Sequence, residues 1–283
     1  MASKVAVVTD STATIPQDLV DKYDIKVGPQ VLIWGAETLL DGVDIQPQEF
    51  YERLKKDPIH PTTSQVTPAI FLDIFSQLLE QDCQVLAVLI SPKLSGTVAS
   101  AQQAKEQFPG APIEIVDSQS VAMALGFQAL MAARAAAEGA SLAECKEVAL
   151  KARPLTGVVF AVDTLEYLHR GGRIGGGAKF LGTALNIKPI LEIRDGMVES
   201  VERVRTRTKS LTRVVELVEE RIAGRQPVHL ATLHANAAED ARFLLEEANK
   251  RVNAIETVFT ELSPVVGTHG GPGTVGLTYL AGM

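Results

Sequence analysis

Two cysteines in 283 residues leave little material for disulfide or thiolate–metal chemistry. Cys83 and Cys145 lie far apart and neither belongs to a Cys-x-x-Cys pair, so they read as buried free thiols. Positive charge is also short: 27 Lys and Arg against 34 Asp and Glu give a net charge of −7. Phosphate backbones need a basic face, so no nucleic-acid partner is expected. Long apolar runs are missing too. The most apolar helical stretch, Val121 to Ala137, carries Gln128 and Arg134 and falls short of the ~20 apolar residues a membrane span needs. Met1-Ala2-Ser3-Lys4 leads straight into a strand with no secretory leader pattern. A cytoplasmic protein with at most transient membrane contact is expected. Neither a metal-ligand spacing nor a nucleotide motif is visible, so no metal and no cofactor are expected.

What is present is an ordinary folded composition, 46% hydrophobic and 22% charged, long enough for one large domain or two of usual size. Lys4 to Thr9, Val85 to Ile90 and Ile113 to Val116 are short apolar, β-branched runs of the kind found in buried parallel strands. Helical patterns separate them, at 16–23, 47–56, from Pro68 to about Glu80, and up to Gln107; an alanine-rich helix follows at 119–138 and another at 141–152. Val27 to Gly35 reads as one strand, in a hairpin with the stretch near Thr38 to Asp41. The pattern changes near Arg153-Pro154-Leu155. Beyond it Asp195-Gly196 joins two strand-like runs, a strong two-residue hairpin signal. Two amphipathic helices, around Leu211–Ile222 and Ala241–Val252, and strands at His229–Leu233 and Thr257–Phe259 complete the chain. The expected fold is α/β in two domains. Residues 1–154 form a mostly parallel sheet with flanking helices, and residues 155–283 a mixed sheet with an antiparallel hairpin. The last segment, near 263–283, packs back at the domain junction.

Four stretches carry chemistry-bearing residues. Pro61-Thr62-Thr63-Ser64-Gln65 places three hydroxyls in a loop before a helix, where N-capping is the plain explanation. Ile90-Ser91-Pro92-Lys93-Leu94-Ser95-Gly96-Thr97 sits between a strand and a helix. Anion binding at the helix N-terminus and simple capping are both open there. His169-Arg170-Gly171-Gly172-Arg173-Ile174-Gly175-Gly176-Gly177 reads as a mobile, basic loop, and Arg203, Arg205, Arg207 and Lys209 add local positive charge. Ser263 to Gly273 sets His269 among glycines after a strand, exposed to a ligand; His234 is its competitor. A serine and a histidine invite a serine esterase or thioesterase built on Ser95 and His269. No sequence feature marks the orienting third group such an enzyme requires. A binding module for another small carboxylate or phosphate is a third option.

Taken in order, Asp10-Ser11, Pro61-Thr62-Thr63-Ser64-Gln65, Leu94-Ser95-Gly96-Thr97, Asp117-Ser118, Gly171-Gly172-Arg173-Ile174, Lys188-Pro189-Ile190-Leu191 and Gly267-Thr268-His269-Gly270-Gly271-Pro272-Gly273 resemble the motifs of the DegV family over essentially the whole chain. That resemblance implies a non-enzymatic carrier. It would hold a long-chain fatty acid by its carboxylate between two α/β domains, with the acyl chain in an apolar tunnel. A separate ATP-dependent kinase subunit would then phosphorylate the acid to an acyl phosphate, in the service of phospholipid metabolism. It further implies that Thr63, Ser95, the Gly96 backbone N–H and His269 meet the head group, and that Arg173 and Arg205 engage the kinase subunit. One departure stands out: Val66-Thr67-Pro68 occupies the place of Pro-Ser-Pro in many relatives. The hydroxyl and the final proline are kept, so little effect is expected.

Overall fold

The computed structural model describes residues 4–181 and 187–283. Met1 to Ser3, read above as leading straight into the first strand, lie outside the described residues. The first sheet is fully parallel, in the order β2-β1-β6-β7. Its strands are β1 (Val5–Asp10), β2 (Lys26–Gly28), β6 (Gln84–Leu89) and β7 (Ile113–Asp117). Helices α1 (Gln17–Lys22), α3 (Pro68–Glu80), α4 (Thr97–Lys105), α5 (Ala122–Ala137) and α6 (Leu142–Ala152) accompany it. Between β2 and α3 the chain builds a small antiparallel sheet, in the order β4-β3-β5, with α2 (Pro47–Leu54) beside it. Its strands are β3 (Val31–Trp34), β4 (Glu37–Leu40) and β5 (Thr62–Ser64).

The second half adds a mixed six-stranded sheet in the order β10-β9-β8-β13-β11-β12. Its strands are β8 (Thr156–Ala161), β9 (Lys188–Arg194), β10 (Met197–Val204), β11 (Val228–His234), β12 (Glu256–Val258) and β13 (Val275–Ala281). The short α7 (Glu166–Arg170), the amphipathic α8 (Arg207–Ile222) and α9 (Ala238–Val252), and α10 (Pro264–Gly270) complete the described elements. Asp195 and Gly196 both adopt left-handed backbone, φ 50° and 76°, as the two-residue turn between β9 and β10 requires.

Helix α5 explains how the halves join. It is apolar on all sides, and most of its residues, among them Met123, Phe127 and Leu130, are fully buried. A helix hydrophobic all round must be covered on every face. Here α5 packs against β1 and β6 of the parallel sheet and against β8, β11 and β13 of the mixed sheet. One hydrophobic cluster therefore runs through the junction, from Val7 and Leu86 through Phe127 to Ala231 and Leu280.

A polar tether closes one edge of this junction. Glu256 on β12 accepts a hydrogen bond from Arg134 of α5 at 2.6 Å and lies 2.7 Å from Nδ1 of His229. The His229 hydrogen bond, outweighing the burial cost, brings the Glu256 pKa down to about 2, with Arg134 adding to it. The unfolded carboxyl binds its proton nearer 4.5, so the stabilisation is complete above that pH and fades as pH falls towards 2. Glu256→Gln should cost about 1.5–3 kcal/mol at pH 7, the worth of hydrogen bonds to a charged group. In chemical denaturation the gap between variant and parent should narrow below pH 4.5. A pH-independent gap would contradict this account.

Three local expectations change. Val27 to Gly35 is two strands, because Pro29 carries no N–H to donate and Gln30 turns the chain: β2 joins the parallel sheet and β3 the small one. Thr62 to Ser64 is not a capping segment but strand β5, paired with β3 in the register Leu32 to Thr63. The cap of α3 is Thr67, whose hydroxyl accepts from the Ile70 N–H, with Pro68 in the first turn. The hydroxyl and proline retained in Val66-Thr67-Pro68 thus do the capping themselves. The glycine-rich segment is packed at its far end, although Arg170 and Gly172 are exposed. Its Gly175 and Gly176 lie so close to Val198 and Glu199 of β10 that a Cβ on either would collide with them.

Candidate functional site

The parallel sheet changes direction between β1 and β6, since the chain leaves β1 towards β2 and builds outward in the opposite sense after β6. Ligands of open α/β sheets bind at such a switch point, beyond the carboxyl ends of the strands. The loops after β1, β2 and β6 meet there, carrying Thr12, Gln30 and Ser95, and a cavity opens against them. About 770 Å³ of space there is not filled by atoms, part of it open to solvent.

Most of the wall is aliphatic or aromatic. Val121 and Ala122 come from the start of α5, Val158 and Phe160 from β8, and Ile193 and Val198, a cross-strand pair, from the β9–β10 hairpin. Polar groups gather at one end: Gln30, Thr63, Ser95, Arg173 and His269. Both halves of the chain therefore supply the wall and the polar end.

Each polar residue is placed by its element. The small antiparallel sheet and α2 pack against α10 through Leu32, Trp34, Phe50 and Val265. That contact brings Thr63 of β5 to His269 of α10, with Thr63 Oγ1 2.7 Å from His269 Nε2. His269 lies in the last turn of a helix capped by Ser263, not in a loop after a strand as the sequence suggested. Burial, reinforced by the nearby Arg173 guanidinium, lowers its pKa to about 4. The imidazole is neutral at physiological pH. Its Nδ1 has no hydrogen-bond partner and faces Gly171 so closely that a Cβ there would fall 2.1 Å from it.

Ser95 is buried. Its hydroxyl contacts Gln30 Oε1 at 3.3 Å and Thr97 Oγ1 at 2.9 Å. It does not cap α4, which has no side-chain cap, so the capping explanation for this stretch fails. Neither of these partners is a base, and the His269 Nε2 is engaged with Thr63. Ser95 and His269 are thus not hydrogen-bonded to each other as the nucleophile and base of an esterase would be. Gly96 begins α4 on the exposed side and is not a lining residue; a Cβ on it would meet the Gln65 side chain at 3.1 Å. Gln65 itself lines the cavity.

Arg173 reaches across, donating from Nε to the Leu94 carbonyl at 3.0 Å and from Nη1 to the Gly171 carbonyl at 2.7 Å. With Thr63 and His269 it lines both the cavity and a neighbouring surface pocket that also holds His60, Tyr167 and Arg170. The polar end is thus a thin partition between the cavity and the outside. Arg205 stands apart, exposed just before α8 and outside the cavity wall. His234, the other histidine considered, lies outside this cavity near Glu261. Sequence reasoning passed over Gln30, whose role depends on Asp10, twenty residues earlier.

A family model described as an uncharacterised protein of the DegV family matches residues 4–282. The chain belongs to the DegV family. Among curated members, a DegV domain-containing protein of Streptomyces coelicolor is 36% identical over 280 residues, 98% of each chain. The DegV protein of Bacillus subtilis is 32% identical over 277 residues, covering 97% of this chain and 98% of its own. Two solved structures share the fold closely. A DegV family protein from Thermus thermophilus, described by its fatty acid binding, is 34% identical, with a TM-score of 0.93 over 98% of this chain and 99% of that one. B. subtilis DegV, described as a fatty acid binding protein, is 31% identical, with a TM-score of 0.90 over 99% of this chain and all of that one. The α/β architecture is that of the DegV structures. Among the described residues no helix is long and apolar enough to cross a membrane.

Proposed function

We propose that this protein binds a long-chain fatty acid, with the carboxylate at the polar end of the cavity and the acyl chain along the apolar wall. The observation that carries this reading is the cavity's division: one hydroxyl-lined end, and beyond it a wall of aliphatic and aromatic side chains. Fatty acid binding by the T. thermophilus and B. subtilis proteins supports it. Each buried methylene contributes about 0.8 kcal/mol, so the chain supplies most of the affinity and the head group its orientation. Thr63 and Ser95 donate to the carboxylate, with His269 behind Thr63; Gly96, exposed and outside the lining, is not part of this set. For Thr63 to donate to the ligand, neutral His269 carries its proton on Nε2 and donates to Thr63 Oγ1, 2.7 Å away. Nδ1 is then the bare nitrogen, which suits its lack of a partner. Titrating delipidated protein with a saturated long-chain acid and its methyl ester tests the assignment. The acid should bind more tightly; equal binding of both, or none of either, would overturn it.

The same reading makes the protein a carrier. A separate ATP-dependent kinase subunit phosphorylates the presented carboxylate to an acyl phosphate, and Arg173 and Arg205 engage that subunit. The thin partition at Thr63, Arg173 and His269 favours presentation, because the head group sits one side chain from the surface pocket. Arg205→Ala should retain bound fatty acid and slow its phosphorylation by the kinase subunit. Unchanged phosphorylation would remove Arg205 from the interface.

A further inference from the structure

Asp10 and Ser11 end the first strand, and the function above gives them no task. Asp10 is fully buried and accepts four hydrogen bonds, from the Thr12 N–H and hydroxyl, the Ile90 N–H at 2.8 Å and the Gln30 side-chain amide at 3.2 Å. Burial raises its pKa above the usual carboxylate value, and these donors offset only part of the rise. With four donors directed at it the carboxyl group acts as an acceptor, so it draws the Gln30 nitrogen towards itself and leaves the Gln30 carbonyl oxygen towards Ser95. The Gln30 backbone is fixed as well. Its N–H donates to Ser11 Oγ at 3.1 Å, and its carbonyl accepts from the Asp41 N–H at 2.9 Å. Ser11 in turn donates to Asp41 at 2.6 Å. Gln30 is 2% exposed yet lines the cavity, a buried amide held on both ends at the site's edge.

We propose that Asp10 and Gln30 are positioning residues for carboxylate recognition: Asp10 fixes the Gln30 amide, and Gln30 Oε1 holds the single Ser95 hydroxyl proton at the edge of the cavity until a carboxylate oxygen accepts it from there. The inference rests on the fatty acid reading. It assigns the Asp-Ser pair after β1 to the ligand site, through two hydrogen bonds and no direct contact.

The test is a comparison of a long-chain fatty acid with the primary alcohol of the same length, measured by calorimetry on delipidated protein. Gln30→Leu leaves Asp10 its three other donors. It frees the Ser95 proton, which an acid needs and an alcohol, itself a donor, does not, so the acid-to-alcohol affinity ratio should rise about fivefold, the worth of one hydrogen bond. Gln30→Met, more flexible, replaces it should the leucine variant not fold, and Asp10→Asn should move the ratio in the same direction. In a Ser95→Ala background the Gln30 substitution should change the ratio no further. An equal change for acid and alcohol, or a lower ratio, would mean a structural role only, and a further change in the Ser95→Ala background would mean direct contact with the ligand. Either overturns the positioning role. A parent protein with no preference for the acid would overturn the fatty acid reading itself, and this inference with it.

Discussion

Phe127→Ala is expected to lower the stability of the protein by about 3–5 kcal/mol, the range for emptying a large aromatic site in a packed core. Phe127 is 1% exposed in the middle of α5 and belongs to the cluster shared by both large sheets. Its ring also lies 5.9 Å from that of His229, beside the Glu256 tether. The cavity left behind would be hard to fill, because α5 is buried over most of its length, Phe127 and its neighbours completely. The midpoint of denaturant unfolding should fall with one cooperative transition retained. A loss below 1 kcal/mol would mean that α5 does not carry the junction.

The second large effect concerns ligand recognition. Thr63→Val combined with Ser95→Ala should weaken binding of a long-chain fatty acid by about 100-fold or more. Each hydroxyl bound to a charged oxygen is worth roughly 1.5–3 kcal/mol, and about 1.4 kcal/mol is a factor of ten. Valine keeps the branched shape that suits Thr63 to strand β5, so the fold should be unaffected. Ser95 caps no helix, so alanine removes only its bonds to Gln30 and Thr97. Binding of a methyl ester of the same length should change far less than binding of the acid. A double variant that keeps the parent's affinity would show that the carboxylate lies elsewhere. A double variant that unfolds would show that these hydroxyls serve the fold.

The parts of this molecule that could be read in its sequence are those set by short-range pattern. β1, β6 and β7 were legible because buried parallel strands are nearly continuous apolar runs. The β9–β10 hairpin was legible from Asp195-Gly196, since a two-residue turn needs left-handed backbone. Strand β5 was not legible, being three hydroxyl residues held in place only by pairing with β3. The helix carrying His269 was obscured by its glycines, although Ser263-Pro264 is an ordinary helix start that could have revealed it. Thr63, Ser95 and His269 were singled out, yet nothing local could show that Thr63 meets His269, 206 residues on. Gln30 escaped notice for the same reason: a lone glutamine after a proline acquires a role only when Asp10 is seen behind it.

The central claim, that the cavity holds a long-chain fatty acid, is tested most directly by mass spectrometry of the lipid extracted from protein purified without detergent. The account predicts a long-chain fatty acid at close to one molecule per chain, and a Ser95→Ala, Thr63→Val variant that retains much less. Protein free of fatty acid, which also takes up none when it is supplied, would contradict it.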